Sequence, residues 1–519
     1  MSDPVPCRPF TYLAAHARRS PRAAAVYDSG ETLSFAELLD RVRAAMAGLR
    51  ALGVRPGEVV GVSLPNVWQY VALEIAVPAI GAVVLPLPPS LGTFELAWAL
   101  ARAVAAMVVT DEVGRAPVLE VASALPAPCA VVEVASVFSA GSPGDPPSGP
   151  HATRPEEVVQ IALTSGTTGP PKLASLSALL KQLTFEGFTG RLGIRPGDRV
   201  LPLSPISQGV GEMCLYALRS GACLIMTSER RFSAERALRL AERARASVIG
   251  GVPTMIGRIY HCGELRPGAL ESLRVTAVAG APMPPELAEA WERATGARVC
   301  NFYGAMDIGQ LAVASPEDPP EKRWHTVGRP HERAEMLICG SDGLPVRQGE
   351  VGEICMRGPL VQQRYWNEEH GPFAPDGWAH FGDLGFLDED GFVHVVGRTK
   401  DVIIRGGENV NPYEVEALLA EHPGVAEVCL VGAPDPDLGE RVAACVVARE
   451  GHEVTLESLR GFLESRGLSR HKWVERLLVV DELPLGSSGK VARRELRERV
   501  AGTLAASGRD LGGADAGSS

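Results

Sequence analysis

Nothing in this chain pairs its cysteines. Ten are present, at Cys7, Cys129, Cys214, Cys223, Cys262, Cys300, Cys339, Cys355, Cys429 and Cys445. None falls in a C-x-x-C pair and no histidines cluster at metal-ligand spacing, so the sequence carries no patterned zinc site. Reduced, partly buried thiols of a cytosolic protein are expected instead. Long apolar runs are missing as well: the longest, Val71 to Leu87, contains Glu74, Pro78 and Pro86 and is too short and broken to span a bilayer. The opening MSDPVPCRPF has prolines and an acid where a secretory leader needs a basic start and an apolar run, and a cytoplasmic location is expected. Positive charge is in deficit, 51 Lys and Arg against 62 Asp and Glu, for a formal net charge of -11. That balance carries no general footprint for nucleic acid and disfavours a basic membrane-binding patch. There is no internal repeat, and the oligomeric state is not legible.

What is present is a soluble globular composition, 45% hydrophobic and 22% charged, over 519 residues. That length exceeds one ordinary core, so a large domain and at least one smaller one are expected. Helical and strand patterns alternate over the first 400 residues or so. Phe35 to Leu52 has helical apolar spacing and ends before Gly53, "GEVVGVSLP" reads as a strand, and "VALEIAVPAIGAVVLPL" as a helix running into a strand. Such alternation predicts an α/β architecture with mostly parallel sheets. From Arg333 the texture changes: "RAEMLICGSDGLPVRQGEVGEICMRGP" reads as strand, Asp-Gly turn, strand, which predicts antiparallel hairpins and a β-rich subdomain. After a boundary near Arg398 to Asp401, strand, loop, helix, strand, strand predicts a small α+β domain. "AASGRDLGGADAGSS", residues 505–519, reads as a disordered tail.

"LTSGTTGPPK", Leu163 to Lys172, packs two glycines, two prolines, four hydroxyls and one lysine into ten residues. Val158, Val159, Ile161, Ala162 and Leu163 before it read as a buried strand. Leu176, Leu179, Leu180 and Leu183 after it fall at i, i+3, i+4 and i+7, a helical stripe. A loop joining strand to helix can turn backbone N–H groups and the positive end of a helix dipole toward an anion. Gly166 and Gly169 would allow close approach, Ser165, Thr167 and Thr168 would donate hydrogen bonds, and Lys172 would add charge. No Gly-Lys-Ser/Thr triplet follows at Walker spacing, so this is a phosphate loop of another kind.

Three further stretches stand with it: "NFYGAMD" (301–307), "GWAHFGDLGFLDEDGFVHVVGRTKDVIIRGGENVNPYEVE" (377–416) and "PLGSSGKVARREL" (484–496). In order and spacing the four resemble the adenylate-forming ligase superfamily, which includes acyl-CoA and aryl-CoA synthetases, peptide-synthetase adenylation domains and luciferases. The resemblance covers nearly the whole chain. It implies a large N-terminal ATP- and substrate-binding domain (1–397), a hinge (398–402) and a small mobile C-terminal lid domain (403–504). The implied chemistry is attack of a carboxylate on the α-phosphorus of ATP, giving an acyl-adenylate and pyrophosphate, usually followed by transfer to a thiol.

Carried over residue by residue, the resemblance makes Thr164 to Gly169 and Lys172 the triphosphate cradle. It sets Gly280, Ala281, Asn301, Tyr303 and Gly304 around the nucleotide, with Tyr303 stacking near adenine. Asp383 and Arg398 would hold the ribose hydroxyls. Lys490 would bridge the carboxylate and the α-phosphate, neutralising charge as the pentavalent state forms. Thr167 and Asp307 would bind Mg²⁺, Asp307 standing where the family usually has Glu. Lys400 matches the hinge residue, and Gly406 and Gly407 the loop lining the thiol's approach. Ser207, Gln208, Gly280, Ala281, Gly304, Ala305 and Met306 would line the acid pocket. The implied cofactors are ATP and Mg²⁺, with coenzyme A or a phosphopantetheinyl carrier as acceptor. The implied partners are a small acid and an acyl carrier protein.

The chain departs from the family at several positions. Leu173 replaces the glycine that commonly follows the cradle lysine, Ser177-Ala178 stands where a Ser/Thr followed by His or Asn is usual, and Met306 replaces a threonine. Pro-Lys-Leu is similar to aryl-acid-activating members and points to an aromatic or aryl-propenoic acid. Pro205, Ile206 and Ser207 occupy the place of an aromatic or His that gates the pantetheine tunnel, with an Asn beside it in the dihydroxybenzoate-type enzymes. Their presence argues against 2-hydroxybenzoate and bears on thioester formation. Two alternatives stand beside a ligase of this kind: ATP-dependent activation of nitrite to diazotise an aromatic amine, and a non-catalytic binding homologue, against which the intact Lys172, Asp383, Arg398 and Lys490 speak.

Overall fold

The computed structural model describes residues 5–6, 8–140, 149–163, 172–281, 283–305, 309–340, 342–361, 364–368, 371–406, 408–486 and 490–507. The chain packs as two compact units. One comprises Met1–Leu337, Cys355–His380 and Glu389–Val393; the other comprises Ile338–Ile354, Phe381–Asp388 and His394–Ser519. Packing thus groups Asp383 and the stretch 394–397 with the C-terminal part of the chain, although the sequence reading ends the large domain at 397. The physical reason is that the strands Ala379–Leu387 and Val393–Arg398 are sheet neighbours, so they share one environment across most of their length.

The first unit is built on two sheets. Among the described residues the larger has nine strands, in the order Arg329–Pro330, Gly309–Val313, Arg298–Ala305, Val275–Val278, Val248–Gly251, Arg199–Pro202, Cys223–Met226, Ala24–Asp28 and Glu31–Ser34. From strand 298–305 to strand 24–28 every neighbour is parallel, and the flanking strands are antiparallel. The parallel strands read as unbroken apolar runs because both faces are covered; all four residues of 275–278 are buried. The second sheet orders Leu173–Ser177, Val158–Leu163, Val83–Pro86, Val59–Ser63, Ala105–Thr110 and Ala130–Glu133, parallel except for its first pair. The α/β class with mostly parallel sheets is therefore the observed one.

Local signals explain several elements. The helix Phe35–Ala51 starts at a capping box: the Glu37 amide donates to Ser34 Oγ at 3.3 Å and the Ser34 amide to Glu37 Oε2 at 2.8 Å. Its apolar stripe buries Leu38, Leu39, Val42, Ala45, Met46 and Leu49. The turn expected at Asp342-Gly343 is present, with Gly343 at φ +76° and the Gly340 amide donating to the Leu344 carbonyl at 2.8 Å.

One expectation fails. Leu173 pairs with Leu163 and Leu176 with Gln160, so the segment after the Gly-rich loop is an antiparallel strand and not the start of a helix. Four of its five residues are buried, and the helix Ala178–Arg191 begins only after Ser177, whose side chain accepts from the Leu180 amide. The i, i+3, i+4, i+7 match of Leu176 was a coincidence between a strand residue and the helical set Leu179, Leu180 and Leu183. The loop 164–172 therefore joins two antiparallel strands, and the helix-dipole part of the anion argument does not apply.

In the second unit a five-stranded sheet orders Glu408–Val410, Ile403–Arg405, Gly439–Ala448 and Val425–Asp435, with Arg476–Val479 parallel to 439–448. The helices Pro412–Ala420 and Leu456–Ser465 bury Val415, Leu419, Leu459 and Leu463 in its core. The last helix, Arg493–Ser507, runs three residues into the segment expected to be a tail, where Ala505 and Ala506 favour helix; 508–519 lie outside the described residues. The nine described cysteines are free. Among the described residues no helix is long and apolar enough to cross a membrane.

Candidate active site

Open parallel sheets bind ligands outside the carboxyl ends of their strands, and four neighbouring strands of the larger sheet end together. Strand 199–202 leads into the loop 203–208, strand 248–251 into Val252 to Thr254, strand 275–278 into Ala279 to Ala281, and strand 298–305 carries Asn301, Tyr303 and Gly304. The loop 203–208 is fixed from both sides. The Leu203 amide donates to the Gly250 carbonyl at 2.8 Å, Asn66 Nδ2 donates to the Ser204 carbonyl at 3.0 Å, and the Ile206 amide donates to Asn66 Oδ1 at 2.9 Å. A Cβ on Gly211 would lie 2.2 Å from the Pro205 carbonyl oxygen, so only glycine allows this turn against its helix. Ile206 and Ser207 are buried as a result.

Asn301 is positioned through a fully buried arginine. Its Nδ2 donates to the Arg323 carbonyl at 2.8 Å, while the Arg323 guanidinium donates to both Glu292 carboxylate oxygens at 2.7 and 2.8 Å. This leaves Asn301 Oδ1 buried without a hydrogen-bond partner, an acceptor suited to an amino group such as that of adenine. Tyr303 is buried beside it in the same strand. Gly280 is exposed at φ +92°, Ala281 is exposed, and Gly304 is half-buried. Ala305 ends the strand in its backbone.

Thr164, Ser165, Gly166, Thr167, Thr168, Gly169, Met306, Asp307 and Gly407 lie outside the described residues. Lys172, at the end of the loop, is exposed, with its ammonium 4.5 Å from the centre of the Tyr365 ring. The Trp366 amide donates to the Leu173 carbonyl at 2.7 Å and ties the Tyr365 segment to this strand.

The second unit gathers the other predicted residues. Arg398 Nε lies 2.6 Å from Asp383 Oδ1, and the carboxylate is almost fully buried. Thr399 Oγ1 donates to the Gly382 carbonyl at 3.1 Å, closing the turn that brings the two together. Lys490 is exposed as a residue, yet protein packed around its ammonium lowers its pKa; Arg398 lowers it further and Asp383 partly offsets this. Lys400 is held at about 8, first by loss of solvent and then by Arg398, against the opposing pull of Asp401 and Asp383. Its Nζ is buried and makes no hydrogen bond. Asp401 accepts from the Tyr413 hydroxyl at 2.8 Å, and Arg493 pairs with Glu416 at 2.7 Å while lying 4.3 Å from the Tyr413 ring centre. Asp383, Arg398, Lys400 and Lys490 thus form one electrostatically coupled group in which cations outnumber nearby carboxylates.

Sequence reasoning missed a second lysine cluster. Lys181, on the helix 178–191, is buried with its ammonium 2.9 Å from Glu212 and 3.1 Å from Glu74, and it also donates to Gln160. Burial pulls its pKa down, but Glu212, Tyr216 and Glu74 outweigh that and raise it. The one available signal was a charged residue inside the apolar stripe Leu179, Leu180, Leu183; its partners come from three separate elements.

The arrangement can be set beside known proteins. The AMP-binding enzyme family model matches residues 13–366, and the AMP-binding enzyme C-terminal domain model matches residues 414–490. A feruloyl-CoA synthase of an Amycolatopsis sp is 33% identical over 490 residues, covering 93% of this chain and 97% of that protein. The crystal structure of ATP-bound MatB from Rhodopseudomonas palustris is similar with a TM-score of 0.87 at 26% identity, over 96% of this chain and 99% of that one. The amide bond synthetase McbA from Marinactinospora thermotolerans gives a TM-score of 0.83 at 29% identity, over 95% of this chain and 99% of that one.

Proposed function

This chain is an AMP-forming ligase of the AMP-binding enzyme family, and from that premise we propose that it activates an aromatic or aryl-propenoic acid with ATP and Mg²⁺. Pyrophosphate leaves, and the acyl group passes to the thiol of coenzyme A or of a carrier protein. The observation that carries the reading is the coupled group Asp383, Arg398, Lys400 and Lys490, whose excess positive charge is met when phosphate arrives.

In the first step a carboxylate oxygen of the acid bonds to the α-phosphorus of ATP as the bond to pyrophosphate breaks. Lys490 holds its charge where negative charge builds on the acid and the α-phosphate, a form of stabilisation worth several kcal/mol when the donor is preorganised. Asp383 accepts from the ribose hydroxyls and Arg398 keeps that carboxylate in place. Asn301 Oδ1 accepts from the adenine amino group, with Tyr303 against the ring. Lys172 and the hydroxyls of the loop 164–169 hold the triphosphate. Asp307 and Thr167 would hold Mg²⁺, whose charge would offset that of the phosphates when it is bound. In the second step the thiol sulfur bonds to the adenylate carbonyl carbon, AMP leaves, and the thiol proton goes to solvent. Lys400, within 398–402, is the hinge at which the small domain turns between the first step and the second.

The feruloyl-CoA synthase supports an aryl-propenoic acid, and Leu173 after Lys172 supports an aromatic one. The amide bond synthetase keeps an amine in view as acceptor, because Pro205, Ile206 and Ser207 stand where a thiol-gating side chain is usual. The test is pyrophosphate release with a panel of benzoic and cinnamic acids and with nitrite, each with and without coenzyme A. Acid-dependent release and a thioester product are expected. Release with nitrite alone, or with no acid of the panel, would contradict the proposal.

A further inference from the structure

Buried hydroxyls and amides in folded proteins almost always have a partner, and at the carboxyl edge of the larger sheet three groups besides Asn301 Oδ1 have none. Ser207 Oγ, Gln208 Nε2 and Thr254 Oγ1 are all buried without a hydrogen-bond partner. Ser207 is itself only 3% exposed. Ser207 and Gln208 lie in the loop after strand 199–202, and Thr254 lies in the first turn of the helix Pro253–His261 that follows its parallel neighbour 248–251. The two segments are tied together: Ser204 Oγ lies 3.7 Å from Met255 Sδ, and the Leu203 amide donates to the Gly250 carbonyl. The bonds that fix the loop 203–208, to Asn66 and Gly250, use its backbone and leave these side chains free.

The chemistry of this corner is specific. Gln208 Nε2 only donates, and the two hydroxyls can donate or accept, so the missing partner is an acceptor. Leu203, Ile206 and Val210 are buried apolar residues, and the Cys214 thiol is pushed up by burial to about 12 and stays neutral. The nearest acid on the same helix, Glu212, is already held by Lys181 and Gln160. A second carboxylate or an ammonium on the ligand would find no counter-charge among these described residues.

We infer that Ser207, Gln208 and Thr254 recognise an uncharged oxygen on the ring of the acid, a phenol or an aryl methyl ether, and that they set the enzyme's preference among aromatic acids. This rests on the proposed ligase activity and adds the substituent that the pocket reads. A site built to hydrogen-bond a substrate oxygen discriminates strongly against the analogue without it, because its own polar groups are then left unpaired.

The test compares kcat/KM for pyrophosphate release within pairs of equal size: methoxycinnamic against ethylcinnamic acid and hydroxycinnamic against methylcinnamic acid, substituted at the 3 or the 4 position. The wild type is expected to prefer the oxygenated member by about tenfold or more at one position. In Ser207→Ala and Gln208→Leu that ratio falls toward one, through KM for the acid and with KM for ATP unchanged, while Ser207→Thr retains it. Equal kcat/KM within every pair for the wild type overturns the inference and leaves the ligase standing, and needs no variant to fold. Variants that keep the full preference also overturn it. A wild type that releases no pyrophosphate with any acid of either kind removes the ligase reading, and this inference with it.

Discussion

Two lysine clusters, one in each packing unit, meet opposite fates. Lys181 is deep in the first unit, yet two carboxylates and a tyrosine outweigh the cost of burial and its ammonium is more firmly protonated than in water. Lys400 and Lys490 in the second unit lose solvent too, but the charge acting most strongly on each is that of Arg398, and both pKa values move down. The difference is charge balance. A buried cation whose charge is met inside the protein is scaffold; a cation left in surplus beside another cation is poised for an anion that the protein does not supply. Lys181 ties the helices carrying Glu74 and Glu212 to its own.

The contrast breaks most visibly at Lys181. Lys181→Met leaves Glu74 and Glu212 buried without their cation, and about 3–5 kcal/mol of folding stability is expected to be lost in chemical denaturation. The loss should shrink at acid pH, where the carboxyls are neutral, and the triple variant with Glu74→Gln and Glu212→Gln should recover most of it. Unchanged stability of the single variant would refute the scaffold role. Next in size, Lys490→Ala should lower acid-dependent pyrophosphate release by a factor on the order of 10² or more, about 3 kcal/mol, while stability and ATP affinity stay close to wild type. Near-normal release would take Lys490 out of the chemistry.

Asp383→Ala should act on binding: loss of the ribose acceptors and of the partner of Arg398 is expected to weaken ATP by about 1.5–3 kcal/mol in calorimetry. An unchanged dissociation constant would count against the diol role. The smallest effect is at Lys400. Its folded pKa of about 8 lies below its value in the unfolded chain, so the unfolded state binds more protons between the two and stability rises with pH through that window. Lys400→Met should therefore stabilise the protein at pH 7 by at most about 1 kcal/mol, with the gain fading as pH climbs above 8. A gain that persists at high pH would mean that charge is not its cause.

How much of this was legible in the sequence varies with how local the signal is. The helix 35–51 was readable because its capping box and apolar period lie within its own residues. The segment after the Gly-rich loop was misread because Leu176 satisfies a helical period while its neighbours pair with strand 158–163, and only the sheet decides between the two. Asp383 and Arg398 are fifteen residues apart, and nothing in that spacing announces a contact; their pairing came from the family resemblance, and the turn at Gly382 and Thr399 supplies it. At Lys181 only the lysine inside an apolar stripe is legible; its partners are not, because Glu74, Gln160 and Glu212 approach from separate elements. The unpartnered Ser207 and Gln208 were named from the resemblance as pocket residues, but their lack of partners is a property of packing that no sequence carries.

The chain has only six lysines, Lys172, Lys181, Lys322, Lys400, Lys472 and Lys490, so their side-chain NMR signals can be assigned one by one by substitution. Titrating selectively labelled lysines with and without ATP tests the contrast between the clusters most directly. Lys400 should titrate near 8 in the free protein and move upward when ATP binds, while Lys181 stays charged throughout. A Lys400 that titrates at the ordinary lysine value and ignores the nucleotide would contradict the account.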